Sequence, residues 1–331
     1  MSAALIELAL FASKTIIIFA FILCVLIVFF ALAAKNKLQA RLSIKNLNKK
    51  AAENTALLLE EISPKQFKQF CKDRKAAKKA IAKQASPAKR IYVLDFNGDV
   101  KASAVEALRE EITALLHIAT PQDEVLLRLE SAGGMVHSYG LAAAQLLRIR
   151  AKHIPLVVAI DKVAASGGYL MACVANRILA APFSIIGSIG VVVQLPNFHR
   201  YLQNKQIDFE QHTAGEFKRT ISLFGENTEE GRDKLQHEIN DIHQLFKNLI
   251  VTHRQQIDIN KVATGEHWLG EQALGLQLVD EIRTSDDYLF EQEKNADLYS
   301  IEYKMKKSFM SKFFAGARML QEKLLSFRFQ A

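Results

Sequence analysis

A serine acts as a nucleophile when one group takes its proton and another stabilises the oxyanion it creates. The run Val163-Ala164-Ala165-Ser166-Gly167-Gly168-Tyr169 offers such a serine, walled by small residues that leave room for a substrate carbonyl. If Ser166 opens a helix, its own N–H and that of Gly167 lie at the helix N-terminus, where developing negative charge is stabilised. An ordinary N-cap serine explains the same residues. The motif is not Gly-x-Ser-x-Gly, so it does not indicate an α/β-hydrolase elbow. A second run, Glu130-Ser131-Ala132-Gly133-Gly134, can turn the backbone with its N–H groups exposed, as an oxyanion hole requires. From two glycines alone, a simple tight turn is the better explanation.

The base is harder to read. His137, His199 and His212 sit in no small-residue loop that suggests a catalytic setting. Thr213-Ala214-Gly215-Glu216-Phe217-Lys218-Arg219 offers Lys218, and a lysine serves as a base when burial holds it neutral. On the residues alone, Lys218 is a solvated loop charge. Cys24, Cys71 and Cys173 are odd in number and far apart, which indicates neither a disulfide framework nor a zinc site. No metal or cofactor is expected.

The elements that must position these groups alternate between strand and helix. Strand patterns cover 91–96, 125–129, 156–160 and 178–181, and helical spacing covers 104–117, 139–150 and 168–175. The apolar, β-branched stretch 185–193 contains Gly187 and Gly190. A long polar-faced helix is expected over 229–256 and a short one ending at Gly275. Strand, crossover and strand at this spacing predict right-handed βαβ units and an α/β fold with a mainly parallel sheet. Both glycine runs fall between a strand and a helix, where such sheets collect their reactive groups.

Thr15–Ala34 has no charge over 20 residues, a length that spans a bilayer's hydrocarbon as a helix. Residues 35–90 carry 16 Lys and Arg against 4 Asp and Glu, residues 301–331 carry 7 against 2, and residues 91–300 have a net charge of −9. Basic flanks around an acidic body do not suit a nucleic-acid-binding domain; they fit segments lying near anionic lipid. The organisation expected is an N-terminal segment (1–14), a transmembrane helix (15–34), a basic helical linker (35–90), an α/β body (91–284) and a basic amphipathic C-terminal tail (285–331). The lysines that follow the helix would by themselves place the body in the cytoplasm.

Six motifs in order resemble the signal peptide peptidase A family of serine proteases. They are Asp95-Phe96-Asn97-Gly98, Glu130 to Gly134, Ala164 to Tyr169, Gly187-Ser188-Ile189-Gly190-Val191, Thr213-Ala214-Gly215 with Lys218, and Ala273 to Asp280. With one anchor, the chain is similar to the SohB-type inner-membrane proteases of bacteria. The resemblance covers roughly residues 90–284. It implies a Clp-protease/crotonase-like core and a Ser/Lys dyad, with Ser166 as nucleophile, Lys218 as base, Ser188 orienting the lysine and oxyanion donors among Gly133, Gly134 and Gly167. It further implies hydrophobic, signal-peptide-like substrates and homo-oligomers whose active sites draw Ser and Lys from neighbouring copies. It favours the periplasmic side of a bacterial inner membrane, against the lysine bias. The family's usual Ser-Pro-Gly-Gly is Ser131-Ala132-Gly133-Gly134 here, which keeps both glycines and loses one rigid φ. Two other readings remain open: an acyl-thioester-binding protein of crotonase fold, and a non-catalytic membrane scaffold.

Overall fold

The computed structural model describes residues 3–35, 41–81 and 89–304. In chain order, α1 (Ala3–Lys35) is followed by β1 (Arg41–Asn46), α2 (Leu47–Ile62) and α3 (Pro64–Ile81). Then come β2 (Lys89–Gly98), α4 (Val105–Leu116), β3 (Glu124–Ser131), α5 (Val136–Ala151), β4 (Leu156–Ile160), β5 (Val163–Ala165) and α6 (Gly167–Ala172). β6 (Arg177–Ala180), β7 (Ile185–Gly187), α7 (His199–Asn204) and the long α8 (Glu229–His253) continue the body. It closes with α9 (Ile259–Val262), β8 (His267–Leu269), α10 (Gly270–Gly275), β9 (Glu281–Ile282), α11 (Ser285–Gln292) and β10 (Ala296–Lys304). The chain divides into two units, one containing α1 and the other formed by Leu42–Tyr303.

α1 is longer than the expected span of 15–34. No glycine or proline interrupts residues 3–14, so the helix begins at Ala3. Its window Leu10–Ile27 has a mean hydropathy of 2.6 with none of it buried, long and apolar enough to cross a membrane.

The body's sheet runs β1-β10-β2-β3-β4-β6-β9, and β5 extends it from β3 to β7 and β8. Among β2–β10 the strand pairs are parallel, except for β7 with β8. The α/β, mainly parallel architecture follows from the strand sequences. Tyr92, Leu94 and Phe96 of β2 join Val125, Leu127 and Leu129 of β3 in a core against α4 and α5, while Ile91, Val93 and Leu126 face a smaller cluster with Tyr288 of α11. With both faces covered, the strands read as unbroken apolar runs.

Two expectations need correction. Residues 41–46 belong to the sheet and not to a helical linker, although α2 and α3 do form two helices, parted at Ser63. The side chain of Asn48, at the start of α2, donates to the Glu293 and Ala296 carbonyls and accepts from the Leu298 N–H at 2.7 Å, joining α2 to β10. Residues 285–304 likewise form α11 and β10 and so extend the body past 284, because β10 pairs with β2, about 200 residues away along the chain. The amphipathic helix expected in the C-terminal tail falls largely on residues 305–331, outside the described residues. Within the apolar stretch 185–193, strand structure stops at Gly187. Beyond it the chain runs over the surface to α8, with Val192, Phe198, Phe209, Phe217 and Phe224 exposed. Phe224 packs on Phe198 and Phe209 with ring centroids 6.0 and 5.9 Å apart.

Candidate active site

β3, β5 and β7 run parallel and end together. Ser131 of β3 is level with Ala164 of β5, and Ala165 of β5 is level with Gly187 of β7. The residues after each strand therefore emerge side by side: Gly133 and Gly134 after β3, Ser166 after β5 and Ser188 after β7.

Ser166 is half-buried and precedes α6 with φ +51° and ψ −118°. A side chain at positive φ is strained, and such strain persists only where surrounding contacts impose it. Here the Ser166 N–H donates to the Gly187 carbonyl at 2.8 Å. That bond corrects one expectation, since the serine's own N–H is committed to β7 and is not open to an oxyanion. The Gly167 N–H, in the first turn of α6, has no intrahelical partner.

Gly133 sits at φ +92°, and a Cβ there would lie 2.7 Å from the Gly167 nitrogen and 2.8 Å from Ser166 Cβ. Only a glycine lets the two loops approach so closely. The Gly133 N–H donates to Ser131 Oγ at 3.0 Å. Gly134 is exposed, and among the described residues its N–H has no acceptor. Of the three glycines expected as donors, Gly134 and Gly167 carry open N–H groups; that of Gly133 is used within its own loop.

Ser166, Gly134 and Gly167 line a cavity of about 350 Å³ whose other walls are largely apolar, including Val136, Leu170, Val191 and Val192. α8 adds Ile242, Leu245, Phe246 and Leu249, an i, i+3, i+4, i+7 stripe. The expectation of a polar-faced α8 missed this stripe, though its spacing is visible in the sequence. Ser188 also has positive φ, +49°, and its N–H donates to the Glu266 carbonyl at 2.6 Å.

Lys218 stands apart. It is exposed, in a turn closed by its N–H to the Gly215 carbonyl at 3.1 Å, and it does not line the cavity. One copy of the chain thus brings together Ser166, Gly134, Gly167 and Ser188, and leaves Lys218 on the surface.

Of the helices that line the cavity, α6 and α8 are held by one segment. The Tyr169 hydroxyl of α6 donates to the Leu278 carbonyl at 2.8 Å. Arg254, buried at the end of α8, donates to Asp280 Oδ2 at 2.7 Å and to the Gln277 carbonyl at 2.9 Å. Burial raises the Cys173 thiol, just after α6, to about 12, so it remains protonated and unreactive. Among the described residues no cluster of three His, Cys, Asp or Glu side chains could hold a metal ion.

The sequence is similar to those of known proteases. Residues 3–146 match the family described as Peptidase family S49 N-terminal, and residues 148–299 match Peptidase family S49. A protein named Probable protease SohB from Haemophilus influenzae is 57% identical over 223 residues, a match covering 67% of this chain and 63% of that protein's length. Another Probable protease SohB, from Buchnera aphidicola of Schlechtendalia chinensis, is 46% identical over 297 residues, 85% of this chain and 97% of the relative. Among solved structures, a mutant of the 1510-N membrane-bound stomatin-specific protease in complex with a substrate peptide is similar with TM-score 0.42 and 14% identity, over 70% of this chain and 98% of that one. With two family matches that together run from residue 3 to residue 299 and a relative matched over nearly its whole length, the chain belongs to peptidase family S49, among proteases of the SohB type.

Proposed function

We infer that this chain is a membrane-anchored serine endopeptidase in which Ser166 attacks the scissile carbonyl and Lys218 is the general base. The Gly134 and Gly167 N–H groups receive the oxyanion, and Ser188 orients the lysine. The observation that carries this reading is the conjunction at Ser166: a strained serine at a strand end, two open N–H donors beside it and an apolar cavity against it. Attack forms the acyl bond from Ser166 Oγ to the carbonyl carbon, and the serine proton passes to the lysine amine. The amine then delivers that proton to the leaving nitrogen, and water hydrolyses the ester by the same route in reverse.

Because Lys218 lies outside the cavity, the dyad is completed by a neighbouring copy. The exposed aromatic surface between β7 and α8, which carries Lys218, offers the apolar area such an assembly would bury. The cavity's aliphatic and aromatic walls suit hydrophobic, signal-peptide-like segments bound in extended form. α1 anchors the chain in a bacterial inner membrane with the body on the periplasmic side, a placement that rests on the family resemblance.

The test is covalent. A fluorophosphonate probe added to the full chain in lipid is expected to modify Ser166, and Ser166→Ala is expected to lose both the adduct and peptidase turnover. Turnover retained by Ser166→Ala overturns the reading.

A further inference from the structure

The loop that carries Gly133 and Gly134 lacks a proline, so something else must hold it. A chain of hydrogen bonds does so. The Gly133 N–H donates to Ser131 Oγ at 3.0 Å, Ser131 Oγ shares a short hydrogen bond with the Tyr139 hydroxyl, and that hydroxyl donates to the Asp99 carbonyl at 2.8 Å. A carbonyl only accepts, so the direction of every bond is set. Tyr139 spends its proton on Asp99, Ser131 must donate to Tyr139, and one of the serine's lone pairs receives the Gly133 N–H. Ser131 and Tyr139 are both buried, and burial raises the Tyr139 phenol, which stays a neutral donor.

Tyr139 also reaches the other arm of the site. Its ring occupies the space beside Gly167, where an added Cβ would lie 2.5 Å from Tyr139 Cγ. Phe96 of β2 supports the ring edge-on, with centroids 6.4 Å apart. One side chain therefore fixes the Gly133 peptide through its hydroxyl and seats Gly167 against its ring. The Gly133 N–H is turned into the protein, which leaves the next N–H, that of Gly134, as the loop's open donor.

We propose that Tyr139 and Ser131 are positioning residues for the oxyanion hole, acting through Gly133 to hold the Gly134 N–H in register with that of Gly167. This rests on the proposed role of Ser166. An oxyanion donor is worth about 10²–10³ in kcat, and a donor kept but loosened costs part of that. Tyr139→Phe keeps the ring against Gly167 and removes only the hydroxyl. Its kcat is expected to fall by roughly 10- to 100-fold with KM within about twofold, the pattern of an interaction made in the transition state. Ser131→Ala should do the same, and the double variant should be little worse than the poorer single, because both cut one chain.

Binding separates positioning from mere folding. A peptide boronate, whose adduct with Ser166 is tetrahedral, should lose affinity in step with kcat/KM. The parent peptide should bind equally to Ser166→Ala and to Ser166→Ala with Tyr139→Phe. Wild-type kcat in folded Tyr139→Phe, or equal loss of peptide and boronate affinity, overturns the relay while the Ser166 assignment stands. Turnover by Ser166→Ala instead overturns the assignment beneath it. If Tyr139→Phe does not fold, Ser131→Ala carries the same test.

Discussion

The two halves of the proposed dyad sit in opposite kinds of structure. Ser166 is bonded to Gly187, pressed against Gly133 and backed by α6, whose Gly167–Tyr169 are buried. Lys218 occupies an exposed turn between β7 and α8, where asparagine and serine side chains tie the backbone locally: Asn197 donates to the Ser222 and Gly225 carbonyls at 3.0 Å, and Asn227 accepts from the Ser222 N–H at 2.8 Å. The nucleophile's geometry is thus formed by the fold of one chain, and the base's surroundings are not. A lysine becomes an effective base only when desolvated, so under the proposed function Lys218 needs a second surface to cover it.

The sharpest way to break that comparison is to mix two inactive proteins. Ser166→Ala and Lys218→Ala should each fall by more than about 10³-fold in peptidase activity. Co-assembled in equal amounts, they should recover up to about a quarter of wild-type activity, since random pairing joins an intact Ser166 to an intact Lys218 at that frequency. No recovery in co-assembled protein would mean that serine and lysine come from the same copy.

A smaller effect contrasts stability in the two regions. Arg254→Ala leaves the partly buried Asp280 carboxylate without its guanidinium and frees the end of α8. Unfolding in denaturant should show a loss of about 2–3 kcal/mol, discounted for the exposure of Asp280. Lys218→Ala should change the same measurement by less than about 0.5 kcal/mol, as expected for a surface site. Equal losses would show that the segment between β7 and α8 is as integral as the body.

The gentlest probe is pH. Glu111 of α4 is buried, and its Oε1 accepts from the Tyr303 N–H of β10 at 2.7 Å. Burial first, then the charges of Asp95 and Glu302, raise its carboxyl from 4.5 to about 7. The folded state thus holds a proton that the unfolded chain releases, and this contribution is complete below pH 4.5 and lost as pH rises to about 7. Glu111→Gln should flatten the fall in melting temperature over that window. An unchanged slope would show that Glu111 is not its source.

How much of this was legible depended on how local the cause was. The strands from Ile91 to Ala181 could be read because both faces are covered and the runs are continuously apolar. The serine and glycine junctions could be read because strand ends in a parallel sheet are predictable places. What escaped was set by distant partners. β1 is short, and both β1 and β10 mix charged residues with apolar ones, so neither shows the continuous apolar run of the central strands. The commitment of the Ser166 N–H to Gly187 needs the β5–β7 register. Tyr139 read only as the start of the helix expected over 139–150, and nothing nearby in the sequence pairs its hydroxyl with Ser131.

The position of β1 in the sheet has a consequence for solubility. β10 is nine residues long, with Leu298, Tyr299 and Ile301 on its two faces, and β1 covers the side that β2 leaves free. A chain trimmed to begin at α2 would bare that edge, and an unpaired apolar edge strand is a template for another chain. The six residues of β1 then act as a guard against edge-to-edge aggregation, a role unconnected with the chemistry at the far end of the strands.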